Sequence, residues 1–82
     1  PQELIVKIQR SGNHKADVNQ LRMLHELLTE FKGANRFKFH LVGSLQNGGN
    51  LELDFPNDRT HYCPELTQEL VSMLGPDCYQ LR

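Results

Sequence analysis

No apolar run in this 82-residue chain exceeds three residues, the longest being Leu4-Ile5-Val6. Nothing in it has the length of a membrane span or of a signal-peptide core, and the chain is expected in the cytoplasm. Charge of one sign is equally scarce. A formal net charge of −1 offers little general attraction to a phosphate backbone, so nucleic acid is expected to bind only weakly or through a larger parent chain. Cysteine is nearly absent too: Cys63 and Cys78 could form one disulfide at most, and with nothing else suggesting secretion both are expected as free thiols. The length leaves no room for a second domain. A chain of this size buries only about 60% of its unfolded surface, so one domain over residues 1–82, two helices on one sheet, is the expected limit. The sequence starts at Pro1 rather than Met, and a fragment of a longer chain is expected.

Catalytic and metal-binding spacings are missing as well. His61-x-Cys63 with Cys78, and His14 or His25 as a fourth ligand, lacks the paired Cys-x2-4-Cys and His-x3-5-His of zinc sites. Packing explains both cysteines better than metal or nucleophilic chemistry, with Cys63 before Pro64 at a helix start and Cys78 in a short strand. Gly43 and Gly48-Gly49 form neither GxGxxG nor GxxxxGK[ST], so no phosphate-binding loop is indicated. Glu52 and Asp54 share one face of a strand, where Lys38 and His40 are expected to neutralise them; acid–base work would need the two carboxyls desolvated. No cofactor, metal or catalytic residue is expected.

What the sequence does carry is alternation. Phe37, Phe39 and Leu41 alternate with polar residues in Arg36-Phe-Lys-Phe-His-Leu-Val42, as do Leu51, Leu53 and Phe55 in Leu51-Glu-Leu-Asp-Phe55, which predicts two half-buried strands closed by a turn at Asn47-Gly48-Gly49. Lys38 and His40 then lie across from Glu52 and Asp54 on the far face. Before this hairpin, Glu3 to Gln9 reads as a first strand with Leu4, Val6 and Ile8 on one side. A first helix is predicted with Asp17 as N-cap and Gln20 completing a capping box, Leu21, Leu24, Leu28 and Phe31 on one face, and Gly33 as a left-handed stop. After the turn Pro56-Asn57-Asp58-Arg59 comes an extended segment from Thr60 to Tyr62, then a helix from Pro64 to Leu74 stopped by Gly75-Pro76, then a last strand from Cys78 to Leu81. The order β-α-β-β-α-β predicts an α+β, ferredoxin-like fold, a four-stranded mixed sheet with both helices on one face. Its expected core is Leu21, Leu24, Leu28, Phe37, Phe39, Leu51, Leu53, Leu66, Leu70 and Leu74.

With those elements placed, the chain resembles the extreme C-terminal domain of the alpha subunit of bacterial DNA polymerase III, the replicative polymerase. The matching stretches are Leu24-His-Glu-Leu-Leu-Thr-Glu-Phe-Lys-Gly33, Arg36 to Val42, Asn50-Leu-Glu-Leu-Asp-Phe55, and Pro64-Glu-Leu-Thr-Gln-Glu-Leu-Val-Ser-Met-Leu-Gly75, nearly the whole chain. Arg59-Thr-His-Tyr-Cys63 departs from the family, which shows an Arg-Val type strand and small polar residues there. The resemblance implies a noncatalytic module, monomeric in isolation, that contacts the clamp-loader tau subunit during DNA replication. It transfers no contact residues. Patterning leaves Ile5, Lys7, Lys38, His40 and Val42 on the open sheet face, where exposed Ile5 and Val42 would form the apolar centre of an interface, with Tyr79, Gln80, Leu81 and Arg82 forming an adjoining edge. Two alternatives remain: a metabolite-sensing ACT-like domain, for which Ser11-Gly12-Asn13 is a faint version of the ligand loop, and a single-stranded nucleic-acid-binding module, which would need exposed aromatics on the central strands.

Overall fold

The computed structural model describes residues 2–43 and 49–82. Its elements follow the order β1 (Glu3–Gln9), α1 (His14–Glu30), β2 (Arg36–Val42), β3 (Leu51–Asp54), α2 (Pro64–Leu74) and β4 (Tyr79–Leu81). This is an α+β fold whose β-α-β-β-α-β order is consistent with the ferredoxin-like class. The strands stand in the order β3-β2-β1-β4. β1 and β2 pair directly and in parallel, so no strand splits the β1-α1-β2 unit, while β3 runs antiparallel to β2 and β4 antiparallel to β1. β1 is therefore a central strand, and β3 and β4 are the edges.

Alternation builds the core. Leu4, Val6 and Ile8 of β1 share a cluster with Phe37, Phe39 and Leu41 of β2, and that cluster takes in Leu24 and Leu28 of α1 and Leu66 and Leu70 of α2. Both helices thus cover one face of the sheet. Phe37, Phe39 and Phe55 pack ring against ring, with centroids 5.0–6.1 Å apart, and the His25 imidazole lies 5.0 Å from Phe55. His25 Nε2 is also 2.9 Å from Asp58 Oδ2, which fastens α1 to the loop after β3. Leu21, Leu53 and Leu74 are only partly buried against the cluster. Leu51, expected inside, is 41% exposed, because it begins an edge strand where fewer neighbours can cover it.

Two further expectations need correction, both at the ends of α1. The N-cap is Asn13, not Asp17: the Asn13 side chain accepts the Ala16 N–H at 3.1 Å and the helix begins at His14. Asp17 instead binds back to the preceding loop, its carboxylate accepting from the Ser11 hydroxyl at 2.7 Å and the Ser11 N–H at 3.1 Å, with Arg10 Nε at 3.5 Å. At the other end Phe31 is extended, and Gly33 does not have a positive φ. Glycine is needed at 33 for closeness: a Cβ there would stand 2.7 Å from His61 Cβ and 2.8 Å from the Thr60 carbonyl oxygen.

The predicted 60–62 strand reduces to a single bridge, in which Asn35 and Thr60 exchange backbone hydrogen bonds. β3 ends at Asp54 rather than Phe55, and β4 starts at Tyr79 rather than Cys78. Pro64 opens α2 and Gly75, at φ 91°, closes it, as the sequence requires. The expected turn at Asn47-Gly48-Gly49 rests on residues 44–48, which lie outside the described residues. On the near side of that connection, Gly43 has φ 69° and donates its N–H to Asn50 Oδ1 at 3.0 Å.

Candidate interaction surface

The period of two along each strand assigns the open face. Glu3, Ile5, Lys7 and Gln9 of β1 lie beside Arg36, Lys38, His40 and Val42 of β2, with Glu52 and Asp54 on one flank and Gln80 on the other. Of the candidate residues, Ile5, Lys7, Lys38, His40, Val42 and Gln80 therefore share one face. Tyr79 and Leu81 do not join them: they pair with Val6 and Leu4, and their side chains pack partly buried against the core on the helix side. Arg82, one residue past β4, exchanges backbone hydrogen bonds with Glu3 and is exposed.

Ile5 is not an exposed apolar centre. It is 2% exposed. As a residue of the central strand it stands between Lys38 on β2 and Gln80 on β4, and the long stems of such neighbours can lie over an apolar side chain while their polar heads reach water. Lys38 is held in such a position, only 18% of its side chain exposed, with Nζ 3.6 Å from Glu3 Oε1 and 3.5 Å from Glu52 Oε2. Its ammonium thus ties β1 to β3 across β2. Arg36 and Asp54 make a longer contact at 3.9 Å. Opposite charges do face each other across the hairpin as alternation suggested, but Lys38 reaches diagonally to Glu52, two residues from its register partner Asp54. Val42 and His40 are half-buried and Lys7 is exposed.

The second candidate feature is the edge. Glu3 and Arg82 exchange both backbone hydrogen bonds, and the Lys7 N–H bonds the Cys78 carbonyl at 2.7 Å. Antiparallel ladders alternate, so the backbone groups of Cys78, Gln80 and Arg82 point toward β1 while those of Tyr79 and Leu81 point outward. Among the described residues, β4 therefore presents outward main-chain donors and acceptors, at Tyr79 and Leu81, that pair with no other strand. The opposite edge is blunted, since β3 carries Glu52 and Asp54 and runs into Pro56.

Residues outside the sequence-based selection also shape this region. Glu3 and Arg36 complete the charged lattice, and strand alternation alone would have placed both on the open face. Asn35 was missed altogether: its side chain donates to the Gln2 carbonyl and accepts from the Tyr62 N–H, which joins the start of β1 to the segment before α2. An Asx residue between Gly33 and a strand was the available signal.

For other chemistry, the geometry offers little. Phe37 and Phe39 are buried and so are not presented to a base for stacking. Cys63 and Cys78 are free thiols, and burial pushes the Cys78 thiol above its ordinary pKa. Among the described residues no group of three or more His, Cys, Asp or Glu side chains is placed to hold a metal, and no helix is long and apolar enough to cross a membrane. No protein family, curated protein or solved structure matches the chain.

Proposed function

We propose that this chain is a noncatalytic protein-interaction module, the C-terminal domain of a replicative DNA polymerase alpha subunit that engages the clamp-loader tau subunit in the cytoplasm. The resemblance of the four quoted stretches supplies the parentage. The observation that carries the interaction is the free edge of β4, where an extended tau segment can add a strand against the outward backbone groups of Tyr79 and Leu81. Gln80, on the same strand, and Arg82, one residue past it, can set its register. The open sheet face plays a smaller part than its position suggests, because its one deeply apolar residue, Ile5, is already covered and its charges are largely paired.

Surface plasmon resonance with a purified tau fragment tests this reading. Leu81→Pro removes an outward N–H without removing a ladder bond to β1 but also trims a side chain packed against the core, so it should abolish most binding and lower the thermal transition. Leu81→Ala, which loses the same packing and keeps the N–H, should still bind. Lys7→Glu, on the open face, should change affinity far less. Unchanged affinity for Leu81→Pro would exclude strand addition at this edge, and no binding by the unsubstituted chain would exclude tau.

A further inference from the structure

Away from the sheet, the outer surface of the two helices holds a groove of about 230 Å³. Met23, Glu26, Leu27 and Glu30 of α1 line one wall, and Glu69 and Met73 of α2 line the other. The two sets follow from helical spacing, because residues three and four apart share a face. Leu27 and Met73 are half-buried and form the floor, whereas Met23 is 50% exposed and adds an accessible apolar side chain to the same lining. Thioether side chains are unbranched and polarizable, and surfaces that accept varied apolar partners are rich in them.

The rim has one sign of charge. Glu26, Glu30 and Glu69 are all exposed, and among the described residues none of the three is engaged in an ion pair. The open sheet face behaves differently, since there Glu3, Glu52 and Asp54 each have a cationic partner. Carboxylates left unpaired around an apolar floor repel anionic partners and attract cationic ones.

We infer that this groove binds a basic amphipathic helix of a partner protein, its apolar stripe against Met23, Leu27 and Met73 and its lysines or arginines against Glu26, Glu30 and Glu69. Such a helix supplies apolar anchors at i, i+3 or i+4 and i+7, which can meet apolar side chains contributed by two neighbouring helices. The surface is separate from the β4 edge and does not depend on what binds there.

The test uses the 82-residue chain and a synthetic peptide of roughly four helical turns, leucine at the anchor positions and lysine elsewhere. Two control peptides have the same composition in scrambled order, or glutamate in place of lysine. Fluorescence anisotropy should show binding of the ordered lysine peptide that weakens as salt is raised and falls about tenfold or more for Glu26→Gln/Glu30→Gln/Glu69→Gln. Met23→Ser, at an exposed position that should not disturb the core, should weaken it separately. Amide shifts on titration should concentrate at Met23, Leu27 and Met73. Equal binding of the scrambled peptide, binding of the glutamate peptide, affinity unchanged by the triple substitution, or shifts centred on the sheet would each overturn the inference.

Discussion

Ile5 and Val6 are adjacent on the central strand, 2% and 0% exposed, yet they are kept from water by different means. Val6 faces two helices and belongs to a cluster of leucines and phenylalanines. Ile5 lies outside that cluster, on the opposite face, and its flanking strands supply Lys38 and Gln80. On an open sheet face, neighbours within the sheet can seal an apolar position when long side chains are held across it. Lys38 is held by two carboxylates from two other strands. That difference makes the open face a poor site for apolar docking and leaves edge and helix surfaces as the better candidates.

The largest effects should come from putting the two kinds of burial on one scale. Leu24→Ala removes a fully buried side chain from the helix-covered face and should cost about 2–5 kcal/mol in urea denaturation. Ile5→Lys should cost a similar amount, about 2–5 kcal/mol, because it removes apolar burial and adds a cation beside Lys38. A substitution at Ile5 that left the thermal transition in place would mean that this face is open after all.

A smaller effect separates stem from charge. Lys38→Met keeps the methylene stem over the face and loses only partly exposed ion pairs, so it should cost less than about 1 kcal/mol. Lys38→Ala should cost more than Lys38→Met, since it uncovers Ile5 as well. Equal costs would assign the effect to the ion pairs alone.

The smallest effect depends on pH and lies at the loop between β1 and α1. Hydrogen bonding from the Ser11 hydroxyl, opposed by some burial and aided by the Ser11 N–H and Arg10, holds the Asp17 carboxyl below its ordinary value of 3.8. A depressed folded-state pKa contributes stability above the unfolded value that is lost as pH falls through the folded one. Asp17→Asn should therefore be less stable than the unsubstituted chain at neutral pH, with the gap narrowing below about pH 4. A gap that stays constant down to low pH would show that the Ser11–Asp17 contact does not discriminate charge.

Much of this fold was legible because alternation is strict where one face is buried. Phe37, Phe39, Leu24, Leu28, Leu66 and Leu70 were all expected in the core and all lie there. The start of α1 was not legible: His14, Lys15 and Ala16 are all exposed, so apolar periodicity is silent over that turn, and Asn13 and Asp17 both satisfy the local chemistry of a cap. Gly33 was read for its φ when its role is close approach to His61, a contact from a distant part of the sequence. Ile5 failed for a similar reason. Its pattern position identifies the face correctly, but only the strand order β3-β2-β1-β4 shows that it is flanked on both sides. For the interaction surface, the β4 segment was singled out in the sequence, whereas which of its backbone groups point outward follows only from the register with β1.

Backbone hydrogen exchange followed by NMR, on the chain alone and bound to a tau fragment, tests the edge-docking account most directly. In the free chain the Gln80 and Arg82 amides should be protected by their bonds to β1 while those of Tyr79 and Leu81 exchange quickly; on binding, Tyr79 and Leu81 should become protected as a partner strand pairs with them. Binding that leaves the Tyr79 and Leu81 amides as fast as before would contradict the account.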